Sequence, residues 1–385
     1  MKKKLAIVTT HPIQYYAPIF QLLAERNKIS VKVFYTWSQA KAKVYDPGFG
    51  RLREWDIPLL EGYEYEFVEN VSRNPGSHHF FGIQNPSLIQ KIDNWNADAL
   101  LVIGWSFKSH LQCMRYFKGK ITVLFRGDST LLDEKRSMRK IFRRAFLKYV
   151  YSKVDYALYV GENNRRYYLK HGLKQKQLFF APHAIDNSRF ASCPEIEQKA
   201  MEWRRALGIC EDDFAILYVG KLEMVKNPFY ILELTKQVKV QNVKFLFVGN
   251  GPLEIDLKRQ SEGDPRVNFI NFQNQQKMPV VYRLSDIVIL PSKSETWGLV
   301  INEAMACEKP IIVSEKVGCA VDLLKENENG YTINPNNPID AVNKISTLIN
   351  NKELVRKMGK RSKELIDYYS FENISNCIEK VLEQV

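Results

Sequence analysis

No run of about 20 apolar residues occurs in the chain, so the sequence offers no helix able to cross a membrane. The opening MKKKLAIVTT is basic, but Leu5 to Val8 is too short for a signal-peptide core and no cleavage site follows, which leaves the protein expected in the cytoplasm. The six cysteines, Cys113, Cys193, Cys210, Cys307, Cys319 and Cys377, form no CxxC pair. That spacing argues against a zinc site and against a disulfide framework, and it fits thiols kept in a reducing compartment. There is no fixed-period repeat and no low-complexity tract. Acidic residues are in the minority, 43 against 56 lysines and arginines, a net charge of +13 that predicts attraction to anions. Nucleic acid, anionic lipid and phosphorylated small molecules all qualify on charge. The first lacks support from any stacking platform or recognition motif, and no nucleic-acid partner is expected.

What the sequence does contain is a rhythm of short apolar, β-branched runs: LAIVTT at 5–10, VKVFYT at 31–36, ALLVIG at 99–104, ITVLF at 121–125, YALYV at 156–160 and LFFAP at 178–182. Segments long enough for a helix separate most of them, the pattern of a doubly wound parallel sheet. The rhythm restarts with FAILYVG at 214–220, VKFLFVG at 243–249, VNFIN at 267–271, DIVILP at 286–291 and KPIIVS at 309–314, which makes a second sheet. The fold class is therefore α/β with two Rossmann-like domains, 1–190 and 191–368, facing each other across a cleft. A final helix at about 369–385, with Ile374, Ile378, Val381 and Leu382 on one face, is placed to pack back on the first domain. Residues 40–98 read as an irregular elaboration of the first domain.

The stretch PSKSETWGLVINEAMA, 291–306, carries the most chemistry. It follows a strand directly, at the carboxyl end where open α/β sheets bind ligands. Gly298 permits a tight turn into a helix, leaving Glu295 in the loop and Glu303 inside the helix. At about 1.5 Å rise per residue the two carboxylates are too far apart to share a proton and are suited to two parts of one ligand. The helix amino end between them suits a diphosphate.

SETWGLVINEAMA resembles the ExxxxxxxE motif of glycosyltransferase family 4, retaining enzymes of the GT-B fold. VGKLEMVKNP at 219–228, VGNGPL at 248–253, YRLSDIVILPS at 282–292 and VGCAVDLLKENENGY at 317–331 resemble further segments of that family, in order. The resemblance covers nearly all of the second domain. It implies a retaining glycosyltransferase that needs no metal or other cofactor and takes a nucleotide-sugar donor and a saccharide or lipid-linked acceptor, as in cell-surface polysaccharide or glycoconjugate synthesis. It implies that Glu303 binds the ribose hydroxyls. Glu295 and the backbone of Thr296, Trp297, Gly298, Leu299 and Val300 would hold the donor sugar, with Gly220 and Gly251 lining the donor site and Lys221 and Lys226 neutralising the leaving diphosphate. Lys221 stands where an arginine is usual.

The first domain matches less well. Its first loop, TTHPIQYYAP, has no paired glycines, and His11, Gln14 and Tyr15 either position a substrate or cap and pack the first helix. In FRGDST, 125–130, Arg126 and Gly127 occupy the neighbourhood of the family's histidine, while Asp128 either acts with the substrate or makes an Asx turn with Ser129 and Thr130. Two alternatives to transfer stay open: an epimerase or hydrolase on the same fold, and a binding protein that has lost catalysis. Residues 135–153 carry eight basic side chains and no acidic one, interleaved with Ile141, Phe142, Ala145, Phe146 and Tyr149. Such a helix either lies on an anionic membrane or packs its apolar face inward.

Overall fold

The structure is a computed structural model that describes residues 2–40, 44–46, 51–53, 56–134 and 138–384. The chain divides into two compact units, one of Met1–Val44, Ile57–His183 and Phe371–Val385, the other of Tyr45–Asp56 and Ala184–Ser370. Lys135 and Arg136 of the basic stretch lie outside the described residues.

In the first part of the chain the strands are β1 (Lys4–Thr9), β2 (Ser30–Tyr35), β3 (Val44–Asp46), β4 (Arg51–Arg53), β5 (Glu64–Phe67), β6 (Ala99–Ile103), β7 (Thr122–Arg126), β8 (Tyr156–Tyr159) and β9 (Leu178–Phe180). Seven of them form one parallel sheet in the order β5-β2-β1-β6-β7-β8-β9, and β3 pairs with β4 separately. The second unit contributes β10 (Phe214–Val219), β11 (Val243–Val248), β12 (Val267–Ile270), β13 (Ile287–Leu290), β14 (Ile311–Ser314) and β15 (Gly330–Ile333), all parallel, in the order β12-β11-β10-β13-β14-β15. The expected pair of Rossmann-like sheets is thus present. Their near-continuous apolar composition follows from helices covering both faces, so that every residue of β10 and of β6 is buried.

Four strands escaped the sequence reading: the short pair β3 and β4 in the stretch read as irregular, and β5 and β15 of the two sheets. Glu64-Tyr65-Glu66-Phe67 forms an edge strand whose glutamates pair with Lys32 and Lys91, a half-polar pattern that hides it. Gly330-Tyr331-Thr332-Ile333 is four residues long and opens on a glycine, where a Cβ would collide with the Ile311 carbonyl of β14.

In both sheets the strand order reverses beside the first strand, between β1 and β6 and between β10 and β13. The carboxyl ends of those pairs are the switch points of the two sheets, the place where open α/β sheets take ligands. The helix Phe371–Glu383 belongs to the first unit. It buries Ile374, Ile378, Val381 and Leu382, and Glu372 and Glu379 both pair with Arg26 of the helix Ala17–Arg26, Glu379 at 3.1 Å.

Candidate functional site

In the second unit, the switch point lies between the loop after β10, which carries Gly220, Lys221 and Lys226, and the loop after β13, which carries Glu295 to Gly298. Residues 69 positions apart meet there: the Lys226 ammonium is ion-paired with the Glu295 carboxylate. Backbone locks hold the two loops together. Lys293 N–H donates to the Val225 carbonyl at 2.8 Å. Asn227, in the left-handed region with φ 57°, donates its side-chain amide to the carbonyls of Pro291 at 3.1 Å and Pro335 at 2.9 Å. Asparagine tolerates that backbone conformation and supplies the donors at the same time. Lys221 lies earlier in the same loop, and the buried Tyr218 hydroxyl fixes its carbonyl at 2.9 Å.

A second lock orders the loop after β13. Glu295 N–H donates to Lys316 O at 3.2 Å, Gly318 N–H to Glu295 O at 3.0 Å and Cys319 N–H to Trp297 O at 3.0 Å. So close is the approach that a Cβ at Gly318 would overlap the Thr296 carbonyl. Gly251 has the same relation to the Leu222 backbone, which packs the loop after β11 against the loop after β10. Both glycines serve backbone packing behind the site.

Gly298 takes φ 100° and N-caps the helix Leu299–Ala306, as its lack of a side chain allows. Leu299 and Val300 are the first two helical residues, whose N–H groups have no intrahelical acceptor and point toward the switch point. Trp297 is buried and donates its indole N–H to Asn302 Oδ1 at 2.9 Å, tying the loop to the helix it precedes. Glu303, one turn into the helix and only 3% exposed, accepts the Tyr282 hydroxyl at 2.6 Å. The arrangement therefore sets an ammonium, two carboxylates at different depths and a helix amino end along one strand edge, a pattern able to hold a ligand with one anionic and two polyhydroxyl parts.

Sequence reading passed over Tyr282, Asn227 and Gly318. The signals were present as a tyrosine one turn before a strand, an Asn-Pro pair after the lysine, and a glycine just beyond β14.

The first unit places His11 and Gln14 at the carboxyl end of β1. The His11 ring packs edge-on against Trp37 with centroids 5.3 Å apart, and its Nδ1 lies 2.9 Å from Thr10 Oγ1. The side-chain oxygen of Gln14 is buried with no hydrogen-bond partner, and Tyr15 is half-buried beside it. Arg126, expected among the residues facing a substrate, is 2% exposed and spends its guanidinium on the carbonyls of Ala181 at 2.7 Å and Pro182 at 2.8 Å. It fixes the segment after β9 and so sets His183, whose Nε2 lies 3.9 Å from the partly exposed Asp128 carboxylate. Burial first, and then the Arg126 charge, push the His183 imidazole down to about 3, so it is neutral at physiological pH. The loop carrying Asp128 is held by Tyr168, which donates to Gly127 O at 2.8 Å, and by Asn164, which donates to Ser129 O at 2.8 Å.

Residues 199–365 match the family model described as glycosyl transferases group 1. The chain is 29% identical over 185 residues to an uncharacterized glycosyltransferase of Methanocaldococcus jannaschii, a match covering 46% of this chain and 47% of that protein. It is 30% identical over 192 residues to the sulfoquinovosyl transferase SQD2 of Arabidopsis thaliana, 49% of this chain and 36% of that one. The chain thus spans about half or less of the length of these curated relatives. Among solved structures, Anabaena HepE in complex with UDP and glucose superposes with a TM-score of 0.72 at 16% identity over 100% of both chains. HepE in complex with UDP-glucose gives 0.70 at 15% identity over 99% and 100%. These likenesses establish the GT-B fold.

Proposed function

The chain belongs to the group 1 glycosyl transferases, family 4, with the GT-B fold, and on that premise we propose that it moves a sugar, with retention of configuration, from a nucleoside diphosphate to an acceptor hydroxyl. The observation that carries this reading is the convergence of Lys226 and Glu295 at the amino end of the helix Leu299–Ala306. Cleaving the bond between the anomeric carbon and the phosphate oxygen puts negative charge on the diphosphate. Lys226, Lys221 and the N–H groups of Leu299 and Val300 stabilise that charge more as it grows than in the bound donor, which accelerates the step. Glu295 takes hydroxyls of the donor sugar, and Glu303 takes the ribose hydroxyls. The acceptor oxygen forms its bond to the anomeric carbon on the face the diphosphate leaves, and its proton passes to the departing phosphate oxygen, so no protein base is required.

HepE, of the same fold, is recorded with UDP-glucose, which supports a nucleotide-sugar donor. The cations assigned to the diphosphate are lysines, and we propose that no divalent metal is needed. His11, Gln14, Tyr15 and Asp128 are assigned to the acceptor side, a saccharide or lipid-linked saccharide. Thermal unfolding in the presence of uridine, guanosine and adenosine diphosphate sugars tests the reading. One donor should raise the midpoint through mass action and should turn over in chelator once an acceptor is supplied. Absence of any shift would overturn the donor assignment, and release of free sugar without acceptor would replace transfer by hydrolysis.

A further inference from the structure

The helix Met138–Tyr151 is apolar on two opposite faces, and only one of them has a place in the fold. Leu147, Val150 and Tyr151 are buried in the core of the first unit. Ile141, Phe142, Phe146 and Tyr149 are 61%, 75%, 43% and 42% exposed. At about 100° per residue, Ile141, Ala145 and Tyr149 fall on one line with Phe142 beside it, roughly half a turn from Leu147, and Phe146 lies at the border toward Val150. This excludes the inward-packing alternative for Ile141, Phe142 and Tyr149, whereas Phe146 borders the core, its ring edge-on to the half-buried Trp105 with centroids 5.6 Å apart. Three large apolar groups on one exposed helix face, with Phe146 at its edge, form a patch that a lone surface phenylalanine does not.

The rim of that patch is cationic. Arg143 and Lys148 are exposed, and Lys153 sits with its ammonium 4.9 Å from the Tyr149 ring centroid. Residues 135–153 contain no acidic side chain, and from Met138 to Tyr151 there is no serine, threonine, asparagine or glutamine either. A second copy of this chain would set the same cations against each other in a molecule that already carries +13. Aromatic and aliphatic groups on a helix whose own charged residues are all lysine and arginine match the boundary of an anionic bilayer, where rings sink about 5–10 Å and cations meet headgroup phosphates.

We infer that the exposed face of the helix Met138–Tyr151 docks the protein on an anionic lipid surface, with Ile141, Phe142 and Tyr149 inserted and Arg143, Lys148 and Lys153 against the headgroups. The inference stands on this face alone and does not require the donor assignments.

The full chain should sediment with vesicles of phosphatidylglycerol and phosphatidylcholine in equal parts, and not with phosphatidylcholine alone, with binding that fades as salt rises. Ile141→Ser combined with Phe142→Ser, at positions 61% and 75% exposed, should unfold at the wild-type temperature and bind these vesicles at least about tenfold more weakly. Lys148→Gln should cost about fivefold, the worth of one surface cation at a charged leaflet. Three results would each overturn the proposal: a wild-type chain that stays in the supernatant with anionic vesicles at low salt, a double variant that binds as wild type does, or a lipid-free dimer that the double variant abolishes.

Discussion

The Tyr282 hydroxyl donates to Glu303 Oε2 at 2.6 Å, joining the helix Met278–Arg283 to the helix Leu299–Ala306 across 21 residues of chain. Both groups are buried, so the bond fixes the rotamer of a carboxylate that water cannot reorganise. A hydrogen bond to a charged group contributes about 2 kcal/mol, a factor of about thirty in binding. Tyr282→Phe keeps the ring packing and removes this one donor. It should raise the dissociation constant of the free nucleotide by about that factor while leaving kcat at saturating donor within a few-fold. The double variant with Glu303→Gln should lose little more than Glu303→Gln alone. Unchanged nucleotide affinity in Tyr282→Phe, measured by calorimetry, would remove Glu303 from the ribose.

Lys226 is assigned a different step. Lys226→Ala should lower kcat at saturating donor on the order of a hundredfold, the typical effect of deleting one donor to a developing anion. Its ion pair with Glu295 means that Glu295→Gln should perturb donor binding and turnover together. A Lys226→Ala enzyme with wild-type turnover would show that the leaving diphosphate lies elsewhere.

Gly318 tests the loop lock. A Cβ there would overlap the Thr296 carbonyl, so Gly318→Ala must displace the 295–297 loop or its own. Overpacking of this kind costs about 1–3 kcal/mol, within what a two-unit protein survives. The variant should remain folded by circular dichroism and lose donor turnover by more than tenfold. Full activity in a folded Gly318→Ala protein would mean that the placement of Glu295 does not depend on this packing.

How much of this was legible beforehand differs between the units. The sequence around Glu295 to Glu303 announced a strand, a turn and a helix because the apolar run of β13, Gly298 and the helical spacing agree, and local chemistry alone builds that piece. Tyr282, Asn227 and Gly318 act across tens of residues, through contacts that no local pattern encodes. Arg126 illustrates the same limit in the first unit: a charged residue at the end of β7 looks like a ligand group, yet the carbonyls of Ala181 and Pro182 claim it. The edge strand β5 was hidden because Glu64 and Glu66 replace the apolar alternation with ion pairs.

His110 supplies a pH dependence. Its Nδ1 lies 2.7 Å from Gly104 O and its Nε2 2.9 Å from Thr36 Oγ1, and burial pushes its imidazole from an ordinary 6.5 down to about 4. Between those values the unfolded chain holds a proton that the folded one does not. Stability is therefore intact above about pH 6.5 and is lost as pH falls toward 4, by up to about 1.4 kcal/mol per pH unit from this one group. Thermal midpoints recorded across that range should decline less steeply for His110→Asn than for wild type. Parallel slopes would show that His110 is protonated in the fold.

The helix Phe371–Glu383 leaves the ribosome only after the whole of Ala184–Ser370, yet it covers part of the unit whose sheet was synthesised first. Until then Arg26 lacks both glutamates and the apolar surface awaiting Ile374, Ile378, Val381 and Leu382 stays wet. Translation order is thus inverted in this molecule: the second unit can mature while its elder neighbour waits, and a stop codon before Phe371 would harm the end of the protein farthest from it in sequence.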